Sequence, residues 1–244
     1  MTLDFRACAV TLFLACFPNP ADATCADLSL VLAIDSSGSI DDDEFGIQTV
    51  GYAAAFQSLG VKRALAAAGV VDVAAIYWAD ADFAFQAIPW HRITSPQNAD
   101  AFAAMLLTTK RRVFGDTDLG NGLNSAIDLL AHPDRCTIRA VINVSGDGEE
   151  SIAAKRKAQI PLAFARKRAA DLGIIINGLV IENEVPELAQ YYRDKVISGP
   201  GSFVIDIKDF TSFGTAIQEK LKQEIGPSLL SNANFQTWHS RFKR

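Results

Sequence analysis

The sequence predicts an α/β fold: a doubly wound, mostly parallel sheet with helices on both faces. Three observations predict it. Unbroken apolar runs recur at Leu28 to Ile34, Val70 to Trp78, Ile138 to Val144 and Ile174 to Ile181, as in strands covered on both sides. Segments of helical period separate these runs. Gly, Asp, Ser and Pro stand at the junctions, so strands and helices alternate along the chain.

The first apolar run ends at Asp35-Ser36-Ser37-Gly38-Ser39. Asp41-Asp42-Asp43-Glu44 then reads as a capping box, opening a helix to about Leu59 with Phe45, Val50, Ala53, Ala54 and Phe56 at helical spacing. Gly60 separates it from a second helical piece, Val61 to Ala68. After the Val70 to Trp78 strand, Ala79 to Asp82 forms a tight turn. Phe83 to Ile88 reads as an edge strand stopped by Pro89, because proline cannot donate to a ladder. Gln97 to Leu107 and Leu119 to Leu130 read as helices around an Arg111 to Asp116 loop. The Ile138 to Val144 strand turns at Ser145 to Gly148, and Leu162, Phe164, Ala165 and Ala169 mark a helix that Gly173 stops. A strand (Ile174 to Ile181), a helix (Pro186 to about Val196), a Gly199-Pro200-Gly201 turn, a short strand (Phe203 to Ile207) and a closing helix (Phe210 to Ile225) complete the order.

Of the 244 residues, 49% are hydrophobic and 21% charged, which is enough apolar material for a sizeable core. The formal net charge of −5 argues against non-specific nucleic-acid binding. Ala7 to Phe17 is a short apolar stretch behind Arg6, followed by prolines and Ala21-Asp22-Ala23. That is the pattern of a secretory leader over residues 1–23, cut after Ala23. The alternative is a lipid-attachment cysteine at Cys16. The expected domain occupies residues 24–226, with a polar tail at 227–244. The cut leaves Cys25 and Cys136, either a disulfide suited to an oxidising compartment or two free thiols.

Ligands of open parallel sheets bind beyond the carboxyl ends of the strands, where the order reverses. Two strands here end in carboxylates, Asp35 and Asp147. Between them, Gly115-Asp116-Thr117-Asp118-Leu119-Gly120 offers a hydroxyl just before a helix. If the two strands are neighbours, Asp35, Ser37, Ser39, Thr117 and Asp147 converge on one point. Carboxylate and hydroxyl oxygens suit a hard cation, Mg2+ or alternatively Mn2+ or Ca2+. Glu149 and Glu150 read as helix-start acids. His91, His132 and His239 lack ligand spacing. Trp78, Trp90, Phe83 and Phe85 read as packing residues, and Arg111-Arg112 as the non-metal candidate for partner contact.

These motifs resemble the von Willebrand factor A (vWA) domain and its metal-ion-dependent adhesion site, or MIDAS. Asp35-x-Ser37-x-Ser39 resembles its first motif, Thr117 in T-D-L-G-N-G-L its second, and Asp147-Gly148 its third. Val144 to Gly148, Trp78 and Ile176 to Leu179 resemble an exported bacterial branch of unknown function. Ser145-Gly146 departs from the family by replacing the usual threonine before the aspartate. The resemblance implies a six-stranded sheet in the order 3-2-1-4-5-6 with one antiparallel edge strand. That order would set the amino ends of the first and fourth strands side by side and so implies a Cys25–Cys136 disulfide.

The implied function is a periplasmic or secreted protein-binding module that captures a carboxylate of a partner through the metal, rather than an enzyme. Two alternatives stand beside it: a metal-stabilised structural component of a cell-envelope assembly, and a Mg2+-dependent hydrolase. The hydrolase reading is the weaker, because phosphatases of that kind need a second Asp where Ser37 stands, and Ser37 and Ser39 lack a histidine base.

Overall fold

β1 (Ala26–Asp35) forms the centre of the sheet because nine of its ten residues are buried. The computed structural model describes residues 25–80, 85–151 and 160–226. The expected leader, Cys16, the tail, Phe83 and His239 lie outside them. β1 pairs in parallel with β2 (Val71–Trp78) on one side and β4 (Thr137–Gly146) on the other. β5 (Ile175–Ile181) and β6 (Val204–Ile207) continue beyond β4, and β3 (Gln86–Ile93) runs antiparallel to β2 at the far edge. The order is 3-2-1-4-5-6, as expected.

Side chains alternate across a strand, so β1 feeds two cores. Leu28, Leu30, Leu32 and Ile34 meet α1 (Asp42–Gln57), α2 (Leu59–Ala68), α3 (Pro96–Leu107) and α7 (Phe213–Ile225). Val31 and Ala33 meet α4 (Leu119–Leu130), α5 (Leu162–Asp171) and α6 (Leu188–Tyr191). Each fully buried Leu or Ile contributes roughly 1.5–3 kcal/mol, which anchors the strand from both faces. On the second face Trp78 packs where α4 has Gly122, and a Cβ there would lie 2.6 Å from the indole.

The capping box forms: Asp41 Oδ1 accepts from Glu44 N at 2.8 Å, and Glu44 Oε2 accepts from Asp41 N at 2.9 Å. The break after α1 falls at Ser58 rather than Gly60, because the Ser58 hydroxyl accepts from Val61 N–H and opens α2 two residues early, at Leu59. β3 does not stop at Pro89. The register shifts between Val73 and Ala75 of β2, leaving Pro89 and Trp90 in a bulge of an edge strand, where no donor is required. The helix expected from Pro186 begins later. Glu187 adopts a left-handed φ of 60°, α6 follows, and Tyr192–Val196 widens into a π-helical turn.

A disulfide joins Cys25 and Cys136 at the amino ends of β1 and β4, with Cα atoms 4.7 Å apart. Beside it Ala26 N–H donates to Cys136 O, so the bond continues the β1–β4 ladder. Among the described residues no helix is long and apolar enough to cross a membrane.

Candidate metal centre

The sheet's order reverses between β1 and β4, and the carboxyl ends of both strands open onto one rim. At the end of β1, Asp35 Oδ1 accepts from Ser37 N–H at 2.7 Å, turning the chain upward. Two backbone ties hold that turn: Ser36 N–H to Trp78 O, and Gly38 N–H to Gly115 O. The Ser36 hydroxyl also donates to Val113 O. Arg111 closes the loop from outside. Its guanidinium donates to Ser36 O and Ser37 O at 3.2 and 2.8 Å and reaches Asp42 at 3.1 Å. Arg111 is thus committed to the loop rather than to a partner, whereas Arg112 is exposed.

Within this frame the expected side chains meet. Ser37 Oγ and Ser39 Oγ lie 3.3 Å apart, and Ser39 Oγ donates to Asp147 Oδ1 at 2.7 Å. Thr117 joins from the loop before α4: its Oγ1 would lie 3.6 Å from a Cβ on Gly148, beside Asp147. Ser151 fixes that loop, with its N–H donating to Thr117 O and its hydroxyl accepting from Thr117 N–H. Asp118 caps α4 through Asn121 N–H, and Glu150 accepts from Gly120 N–H at 3.0 Å. Glu150 therefore acts at the start of α4, not of the helix that follows it in sequence.

Asp35, Ser37, Thr117 and Asp147 are buried, while Gly38 and Ser39 are exposed, so the cluster opens to solvent on one side. Asp35 Oδ2 and Asp147 Oδ2 are buried and have no hydrogen-bond partner among the described residues. Burial, then the Asp147 charge, pushes the Asp35 carboxyl up from 3.8 to about 7, against the Ser37 hydrogen bonds and Arg111. Asp147 is raised too, by burial above all, with Glu44 and Glu184 adding to it against the Ser39 hydroxyl. Two buried, half-satisfied carboxylates are costly, and a divalent cation would offset both charges. The donor set, two carboxylates and three hydroxyls, is all oxygen, which fits Mg2+, Mn2+ or Ca2+. Among the described residues no three His, Cys, Asp or Glu side chains gather, so the cluster depends on its hydroxyls.

One buried group escaped the sequence analysis. Tyr192, the first residue of the π-helical turn, is fully buried against the floor of the site. Its hydroxyl has no hydrogen-bond partner among the described residues. Glycines inside β4 and β5 were its only sequence signal, since glycine in a strand often marks a close approach.

Residues 24–229 match the family described as protein of unknown function, DUF1194. No curated protein matches the chain in sequence. Among solved structures, the pilus adhesin SpaC from Lactobacillus rhamnosus GG is similar at 13% identity, with a TM-score of 0.59 over 82% of this chain and 30% of SpaC. Proximal thread matrix protein 1 from the mussel byssus is 13% identical, with a TM-score of 0.57 over 82% of this chain and 47% of that one. A form of it with a zinc-occupied MIDAS motif matches at a TM-score of 0.51, 13% identity and 81% and 47% coverage. The von Willebrand factor type A structure from Catenulispora acidiphila is 16% identical, with a TM-score of 0.54 over 84% of this chain and 44% of that one. The chain spans less than half the length of these structures, and the likeness is one of fold. With the family match over most of its length and the sheet order seen above, the chain belongs to the DUF1194 family and has a vWA-like fold.

Proposed function

We propose that this chain is an exported, metal-dependent protein-interaction module whose domain spans residues 24–226 behind a cleaved leader. Asp35, Ser37, Ser39, Thr117 and Asp147 hold a divalent cation, Mg2+ or alternatively Mn2+ or Ca2+. The single observation carrying this reading is the pair of buried carboxylate oxygens with no hydrogen-bond partner among the described residues, beside the Ser37 and Ser39 hydroxyls and with Thr117 Oγ1 near Gly148, on the rim where the sheet order reverses. Bound there, the cation supplies an open coordination position for a carboxylate oxygen of a partner. The protein's own residues do the rest. Arg111 and the Gly38–Gly115 bond keep the Asp35 to Ser39 loop in one shape. Ser39 keeps Asp147 turned toward the cluster. The exposed position of Ser39 leaves an approach from solvent. The disulfide supports export, since such bonds persist in oxidising compartments.

The test has two steps. Melting of the protein followed in Mg2+ or Mn2+ against chelator should show stabilisation that is absent in Asp35→Ala and Asp147→Ala. The immobilised protein should then retain partner from envelope extract in Mg2+ and release it in chelator. Stabilisation without metal-dependent retention would instead make the site a buttress of the fold, and no stabilisation at all would overturn the metal.

A further inference from the structure

Two glycines that the sequence analysis singled out only as parts of motifs, Gly146 in V-S-G-D-G and Gly178 in I-N-G-L, flank a single side chain. They lie in adjacent strands, where Val144 pairs with Gly178 and Gly146 with Val180. A Cβ on Gly178 would sit 3.1 Å from the ring of Tyr192. A Cβ on Gly146 would sit 2.5 Å from the Tyr192 hydroxyl and 2.9 Å from Asp35 Oδ2. The tyrosine hydroxyl and the free carboxylate oxygen therefore face one shared point, which only a glycine leaves clear. Each lacks a hydrogen-bond partner among the described residues, and each is buried.

The backbone is shaped for the same end. Tyr192 O accepts from Ile197 N–H, five residues on, at 2.9 Å. This i to i+5 bond begins the π-helical turn at Tyr192, and such turns occur frequently at functional sites. A phenol ionises ordinarily only near pH 10. It keeps its proton and can donate.

We infer that Tyr192 is a positioning residue of the metal centre: its O–H donates to Asp35 Oδ2, directly or through one water, and fixes that carboxylate when a divalent cation binds. The inference rests on the metal reading above and assigns a further residue to the same site. Partners that orient a metal-ligating group from behind typically hold 10–100-fold of metal affinity. A tyrosine kept for packing alone would behave otherwise, and Tyr192→Phe separates the two because it removes only the hydroxyl and keeps the whole ring.

Mn2+ binding to the folded full-length mature chain is followed by calorimetry, alongside melting in chelator and the near-ultraviolet tyrosine difference spectrum on metal addition. The expected result is wild-type binding at one site, with affinity about 10–100-fold weaker in Tyr192→Phe. Metal-free melting of the variant should be unchanged or higher, because a buried unpartnered hydroxyl is lost, and the wild-type difference spectrum should be diminished. Equal Mn2+ affinity in the two proteins would overturn the role of Tyr192 and leave the metal site standing. Absence of Mn2+ binding to the wild type would overturn the metal reading and the inference with it.

Discussion

Replacing Asp35 by Asn should stabilise the metal-free protein at neutral pH while abolishing its response to metal. Asp35 is fully buried, one oxygen bonded to Ser37 N–H and the other without a partner among the described residues. Its carboxyl is raised from 3.8 to about 7. The folded value exceeds the unfolded one, so the folded chain binds the extra proton and stability falls as pH rises from about 4 to 7. At about 1.36 kcal/mol per pH unit, the ionised side chain costs roughly 4 kcal/mol above pH 7. Asparagine keeps the Ser37 contact through its Oδ1 and presents an amide N–H₂ where Oδ2 stood, on the side of Gly146 and the Tyr192 hydroxyl. Allowing for imperfect fit, the gain in chelator at pH 7.5 should be about 2–4 kcal/mol, or roughly 5–15 °C in melting temperature for a chain of this size. At pH 5 the wild-type carboxyl is already protonated in the fold, and the gain should shrink by more than half. Differential scanning fluorimetry at both pH values, with and without Mg2+, reads all of this. A variant less stable than wild type at pH 7.5, or with an equal gain at both pH values, would refute the electrostatic reasoning.

Other outcomes follow from the same structure. Arg111→Met should cost about 2–3 kcal/mol, because Ser36 O and Ser37 O lose a charged donor, and should weaken Mn2+ binding; urea unfolding and calorimetry would show whether the loop depends on this clamp. Cys136→Ser opens a bond across a sequence separation of 111 residues and should cost about 4–5 kcal/mol by chain entropy, read from the urea midpoint. Lys220→Met should cost roughly 3–5 kcal/mol, because Glu224 stays buried without its cation; unchanged melting would show that Asn143 and Asn177 suffice for it.

The strands were legible because β1, β2, β4 and β5 are buried on both faces, which writes them as unbroken apolar runs. The capping box and the Asp35 to Ser39 string were legible because both are local. Pro89 misled because a bulge on an edge strand removes the need for a backbone N–H, which proline lacks, at that position, and pairing register is not written in the strand itself. Lys220 and Glu224 stand four apart on α7, as in an exposed surface pair, yet both are fully buried. The reason lies on other elements: Asn143 and Asn177 donate to Glu224 from β4 and β5, and Tyr52 donates to Asn143 and Ser145 from α1. The role of Tyr192 was hidden for a similar reason. It depends on an i to i+5 turn and on glycines of two strands that meet only in the fold.

On the proposed reading, the five oxygen-bearing side chains around Asp35 and Asp147 hold one cation. A crystal grown with Mn2+ and measured for anomalous scattering tests it most directly. The account predicts a single strong peak bounded by Asp35, Ser37, Ser39, Thr117 and Asp147 that disappears in Asp147→Ala. No peak there at saturating Mn2+, or a peak held by other residues, would contradict it.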